Sequence, residues 1–186
     1  MPLTKKDGKE LIKLARQSIN SEFSRAELNV SKDIKDKYSS KHGVFVTLNL
    51  NDELKGCIGY PEPTLPLFLA VIEAAKSAAF SDSRFSPLSK EGFSKIKIEL
   101  SVLTVPSLIK VNEAKEYFEK IKIGEDGLIL RGNYGSGLLL PQVFVEYDCD
   151  VIKALDMLCQ KAGLPPHAWN DTSNKIYKFQ AQIFSE

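Results

Sequence analysis

The sequence predicts an α+β fold built mainly on antiparallel sheet. Three observations carry that prediction. Val44, Val46, Leu48 and Leu50 share one face of an alternating run, which ends in a polar Asn51-Asp52 turn and is followed at once by a second strand-like run. Leu11, Ala15, Ile19 and Phe23 recur four residues apart with Ile12 beside them, as on the buried stripe of a helix. Tight turns outnumber helical crossovers along the chain, which favours antiparallel over parallel pairing.

Taken in order, the elements follow from local signals. Thr4 caps the first helix, with Asp7 three residues on where a capping-box acid belongs. Residues 31–42 read as a solvated connector, because Lys32, Lys35, Lys37 and Lys41 are interleaved with Asp33 and Asp36. In the hairpin's second strand, over 54–60, Leu54, Ile58 and Tyr60 share one face and Lys55 and Cys57 the other. Thr64 and Pro66 open a helix whose Leu67, Phe68, Val71, Ile72, Ala75 and Ala79 leave few polar positions, so it is expected to be buried on several sides. A third strand over 95–105 places Ile96, Ile98, Leu100 and Val102 opposite Lys97, Glu99 and Ser101. Short strands are expected at 121–123, 128–131 and 138–140, with Asp126-Gly127 as the clearest turn between them. Val151, Leu155, Leu158 and Ala162 predict a helix over 151–162 that Gly163 and Pro165 end. Residues 176–184 alternate again and read as one terminal strand.

Composition excludes several function classes. The chain has 186 residues, 43% hydrophobic and 26% charged, enough to fill a core without disulfides or metal. Its 25 basic and 24 acidic residues leave a formal net charge of +1, which argues against a nucleic-acid-binding surface. Two histidines and three cysteines exclude a histidine-rich metal site, and Cys57, Cys149 and Cys159 lack the CxxC spacing of a zinc ribbon or redox pair. The run Gly132-Asn133-Tyr134-Gly135-Ser136-Gly137 is not a phosphate-binding GxxxxGK[ST] loop and reads as a turn between strands, so no cofactor is expected. The densest apolar stretch, 65–80, is interrupted by Pro66, Glu73, Lys76 and Ser77 and is too short to cross a bilayer. Met1-Pro2-Leu3-Thr4-Lys5-Lys6-Asp7 has no apolar signal core, and with unpaired thiols this points to the cytoplasm.

The chemistry centres on Leu54-Lys55-Gly56-Cys57-Ile58-Gly59. Flanking glycines let another backbone or a ligand approach the thiol closely. Lys55, two positions away, would favour its thiolate, whereas a small buried cysteine beside a strand crossing is the plainer alternative. Glu99 would serve as a general base if its strand neighbours that of Cys57. Asp82 and Arg84 form an acid–base pair two residues apart, read as a loop brace or a substrate contact. His42 precedes the hairpin, so a Cys–His pair is geometrically open; His167, after Pro165-Pro166, reads as a loop cap. Cys159 belongs beside the inward stripe of its helix, and the carboxylates of Asp148 and Asp150 would disfavour a Cys149 thiolate.

That hexapeptide resembles the Leu-Arg-Gly-Cys-Ile-Gly signature of the AMMECR protein family, named for the Alport syndrome, midface hypoplasia and elliptocytosis chromosomal region. The resemblance runs from about residue 10 to the C-terminus, through Gly43-Val44-Phe45-Val46-Thr47-Leu48, Ala78-Ala79-Phe80-Ser81-Asp82-Ser83-Arg84-Phe85, and Ile98-Glu99-Leu100-Ser101-Val102-Leu103. It continues in Gly137-Leu138-Leu139-Leu140-Pro141-Gln142-Val143, Lys161-Ala162-Gly163-Leu164-Pro165 with Trp169, and Phe179-Gln180-Ala181-Gln182-Ile183-Phe184. Lys55 departs from the family's arginine, keeping the charge but losing the bidentate fork.

The resemblance implies one AMMECR-type domain of two unequal lobes, each an antiparallel sheet with helices, with the signature facing the cleft between them. The larger lobe is expected over 1–105 and 151–186, the smaller over 106–150. The resemblance also implies company with Memo-like and radical-SAM proteins. It names no reaction and leaves the oligomeric state open. Cys57 and Glu99 are the candidate catalytic residues, with Lys55, Gly56, Gly59, Asp82, Arg84 and Gln142 lining the site. Two readings follow: a cleft enzyme or modification factor working through Cys57, and a non-catalytic adaptor whose cleft grips a protein or other large ligand.

Overall fold

The computed structural model describes residues 2–186; Met1, the first residue of the N-terminal stretch, lies outside them. The chain packs as two compact units, one of residues 2–103 with 182–186 and one of residues 104–181. The expected lobe boundary at 150 assigned 151–186 to the larger lobe, but residues 151–181 pack with the second unit.

In the first unit, helix α1 (Lys5–Ser24) opens on the capping box anticipated at Thr4 and Asp7. Helix α2 (Lys32–Lys37) occupies the stretch expected to be a loop. Ser31 caps it, and Lys37 bonds Asp7 and Glu10 of α1 at 2.7 and 2.8 Å, contacts that a six-residue segment with one apolar position does not advertise. Strands β1 (Gly43–Leu50) and β2 (Glu53–Tyr60) form the predicted hairpin, with Asn51 and Asp52 both left-handed at φ 54° and 65°. Helix α3 (Leu67–Phe80) and the short α4 (Lys90–Phe93) lead into β3 (Ile96–Leu103). The sheet order is β2-β1-β3-β8, where β8 is Ala181–Ser185. Val44, Val46, Leu48, Ile98 and Leu100 bury against α1 and α3, whose Ala70, Ala74 and Ala75 have no exposed surface.

The second unit holds a sheet ordered β4-β7-β5-β6, made of Ser107–Leu108, Lys175–Phe179, Gly127–Arg131 and Ser136–Leu139. Each of its pairings is antiparallel. Helices α5 (Tyr117–Lys120), α6 (Pro141–Glu146) and α7 (Val151–Lys161) pack with it around Leu128, Leu130, Phe144, Leu155, Leu158 and Trp169. The protein is thus α+β with antiparallel sheets, as the sequence predicts.

Two expected strands differ, and one helix is added. Residues 121–123 form no strand: Ile121 ends α5, and the reversal falls at Gly124, φ 84°, ahead of the Asp126-Gly127 pair. Residues 176–184 are two strands, not one, because the chain leaves the second sheet after Phe179 and joins the first at Ala181. Pro141 sits at a helix start, where its missing N–H costs nothing, and so begins α6 directly after the strand expected at 138–140, a helix the sequence reading did not place.

Candidate functional site

The site is built around Cys57, midway along β2, an end strand of the first sheet. Thr47 of β1 lies opposite Cys57 on one side and opposite Glu99 of β3 on the other. The three side chains therefore form a row across the sheet, on the face away from Val46 and Leu48. Glu99 is two strands from Cys57, about 10 Å between backbones. Its Oε2 instead accepts a hydrogen bond from Ser185 Oγ at 3.0 Å, so the neighbouring-strand condition for a general base is not met.

An end strand leaves alternate N–H and C=O groups unpaired by the sheet. At Cys57 both are taken by one ion pair from the loop after α3. The Cys57 N–H donates to Asp82 Oδ2 at 2.9 Å, and Arg84 Nη2 donates to the Cys57 carbonyl at 3.1 Å. Arg84 also grips the carboxylate with both arms of its fork, Nε to Oδ1 at 3.0 Å and Nη2 to Oδ2 at 2.7 Å. Asp82 is only 6% exposed. Arg84 and the N–H groups of Cys57 and Arg84 hold the Asp82 carboxyl far below the usual carboxylate range, against the opposing effect of burial. Arg84 is pushed up in turn, chiefly by its hydrogen bonds to Asp82.

Because the Cys57 main chain bonds outward, Cys57 and Thr47 make the closer, non-hydrogen-bonded type of antiparallel pair. Thr47 Oγ1 donates to Cys57 Sγ at 3.3 Å. Cys57 is half-buried. The sulfur thus has a hydroxyl donor on one side and a fixed guanidinium near its own peptide.

Lys55 has another role. The register passes from Leu48↔Gly56 to Asn49↔Leu54, leaving Lys55 as the extra residue of a β-bulge. Its Nζ donates to Ser86 O at 2.7 Å and Ser86 Oγ at 3.1 Å, so it fastens the 82–86 loop from a second point. The glycines have packing reasons. A Cβ on Gly56 would stand 2.0 Å from the Ala78 carbonyl of α3, and one on Gly59 would meet the Phe45 ring at 2.5 Å.

The structure brings Cys57, Lys55, Gly56, Gly59, Asp82 and Arg84 together within the first unit and sets Glu99 apart. Gln142, on α6, belongs to the second unit; its Oε1 is buried without a hydrogen-bond partner among the described residues. His42 precedes β1, about five strand residues from Thr47, and its Nδ1 lies 3.3 Å from Leu103 O, so no Cys–His pair forms. His167 caps a loop through Asp156 at 3.0 Å. Cys159 is fully buried and Cys149 half-buried; burial comes first among the causes that push both thiols up, ahead of the carboxylates beside Cys149. Among the described residues no group of three or more His, Cys, Asp or Glu side chains could hold a metal, and no helix is long and apolar enough to cross a membrane. Thr47 and Ser86 escape the sequence reading. A bulge-free hairpin closed by the Leu50↔Glu53 pair would set Thr47 opposite Gly56, and only the bulge at Lys55 brings Cys57 there.

Comparison with known proteins matches the chain over nearly its whole length. The family model described as AMMECR1 matches residues 12–184. A protein of Methanocaldococcus jannaschii is 48% identical over 186 residues, covering 99% of this chain and 92% of that one. A protein of Methanothermobacter thermautotrophicus is 44% identical, covering 100% and 97%. Among solved structures, that of an uncharacterized protein from Pyrococcus horikoshii matches with a TM-score of 0.88 at 44% identity, over 96% of this chain and 91% of that one.

Proposed function

Because the chain belongs to the AMMECR1 family, we propose that it acts through the Cys57 thiol, as a nucleophile or covalent acceptor toward a protein or another large ligand. One observation carries this reading: Thr47 Oγ1 donates to the sulfur while Asp82 holds the Arg84 guanidinium against the same residue's carbonyl. A hydroxyl donor and a fixed cation are what negative charge on sulfur requires.

The test is selective alkylation. In limiting iodoacetamide at about pH 7.5, a thiolate sulfur displaces iodide and keeps the carbamidomethyl group. Peptide mass mapping is expected to find Cys57 modified first, with Cys149 and Cys159 lagging because burial pushes their thiols up. An unmodified Cys57 in protein whose Cys149 has reacted would sink the proposal.

A second reading has its own observation. Asp82 and Arg84 hold the main chain of Cys57, and Gly56 and Gly59 are accounted for by packing, so the motif also suits an adaptor with a rigid edge. If Cys57→Ala retains cellular function and capture of the Memo-like and radical-SAM proteins implied by the family resemblance, the adaptor reading replaces the first.

A further inference from the structure

The first sheet has two outer edges, and they are finished differently. At β2 the Asp82–Arg84 pair occupies the outward groups of Cys57. At β8, the other end of the sheet, no strand of the described chain pairs on the outer side. The Glu186 N–H, just past β8, donates inward to Ile98 O at 3.2 Å. Main-chain groups alternate sides along a strand, so those of Ile183 and Ser185 point outward.

A groove of about 220 Å³ lies beside these residues, lined by Lys5, Lys9 and Ile12 of α1 and by Ile183, Phe184 and Ser185. Three consecutive strand residues face alternate sides of a sheet, so a groove touching all three runs along the strand's edge rather than across a face. Its two walls differ in chemistry. On the α1 side, Lys5 and Lys9 stand one helical turn apart, and the acids close by are engaged: Asp7 and Glu10 with Lys37, Glu186 with Arg16. Neither Lys5 nor Lys9 has an ion-pair partner among the described residues. On the opposite side Ile183 is 47% exposed, next to Ser185, which is bonded to Glu99.

We propose that the outer edge of β8 is a docking edge for an extended acidic peptide segment of a partner protein, which joins the sheet as a fifth strand. The main chain of that segment pairs with Ile183 and Ser185. Its acidic residues fall on the α1 side against Lys5 and Lys9. Its alternate residues, apolar, fall beside Ile183, where Glu99 repels a carboxylate. A second copy of this chain is a poorer occupant, since edge-to-edge pairing would bring four lysines, two from each copy, to one groove.

The probe is a fluorescein-labelled octapeptide of alternating Glu and Val, with alternating Lys and Val as control. Fluorescence anisotropy is expected to saturate with the acidic peptide only and to weaken as salt rises. The Lys5→Glu/Lys9→Glu double variant is expected to lose at least about tenfold in affinity, with Cys57 alkylation unchanged. Ile183→Pro removes an outward N–H without touching the pairing to β3, and it is expected to weaken binding similarly. Amide exchange at Ile183 and Ser185 in the wild-type protein is expected to slow on binding, a readout that stands even if the proline variant misfolds. Equal binding of both peptides, undiminished binding to the double variant, protection elsewhere, or no saturable binding at about 1 mM would each overturn the proposal. So would dimerisation through β8 detected by light scattering.

Discussion

The cation hydrogen-bonded to Cys57 is Arg84, 27 residues away in sequence, and not Lys55, two positions away. Spacing along a strand points to Lys55, but the bulge turns that side chain toward Ser86. Arg84 reaches the site because Asp82 is buried there and needs a partner, and the fork holds it in place. Replacing Arg84 with Gln is therefore expected to slow iodoacetamide alkylation of Cys57 by roughly threefold or more, while Lys55→Gln leaves the rate within about twofold. Arg84→Lys keeps the charge without the fork and should recover most of the rate. If Lys55→Gln has the larger effect, or if Arg84→Lys behaves like Arg84→Gln, the guanidinium acts by bracing the loop and not by its charge.

Strand β2 is held from three directions: by β1 through the hairpin ladder, by the 82–86 loop through Asp82, Arg84 and Ser86, and by α3 through contact with Gly56. The last contact is the least forgiving, because a backbone carbonyl of a buried helix cannot rotate away as a side chain would. Gly56→Ala is expected to cost about 3 kcal/mol, the upper end for overpacking, read as a lower urea midpoint. A loss under about 1 kcal/mol would mean that α3 slides freely past the strand. The hairpin itself was legible, because alternation and a polar Asn51-Asp52 turn are local signals. The bulge was not: nothing in the residue types at 54–56 marks which one drops out of register. The break at Gln180 was hidden for a related reason. Residues 176–184 keep their alternation while the chain passes from one sheet to the other without glycine or proline. Helix α2 lacked an apolar stripe to betray it, with Ile34 alone facing inward material.

Each of the two units has its own buried cluster, and the single tryptophan, Trp169, lies in the second. The sequence shows that 151–162 is amphipathic, but a stripe does not say which sheet it covers; α7 packs on β5 and β6, which draws the unit boundary past the expected one. Carboxylates pinned by cations occur in both units, and they set how the protein meets acid. In the first, Arg84 holds Asp82 low, and Lys37 and Thr4 do the same for Asp7. In the second, Lys120 with the N–H groups of Glu113 and Asn112 brings Glu116 down to about 2. A carboxyl depressed in the folded state binds protons more readily when unfolded, so its contribution is complete above the unfolded value near 4 and is lost as pH falls through the folded value. The urea midpoint is therefore expected to hold level from about pH 7 to 5, then fall steadily below about pH 4.5. Trp169 fluorescence follows the second unit, where the loss should run from about pH 4 down to the Glu116 value of about 2. Circular dichroism adds the first unit, and there Asp82→Asn should flatten the acid limb while lowering the neutral midpoint. A midpoint that stayed level or rose between about pH 5 and 2.5 would show that these ion pairs do not favour the folded chain, and with them would go the account of Asp82 as the anchor of the Cys57 strand.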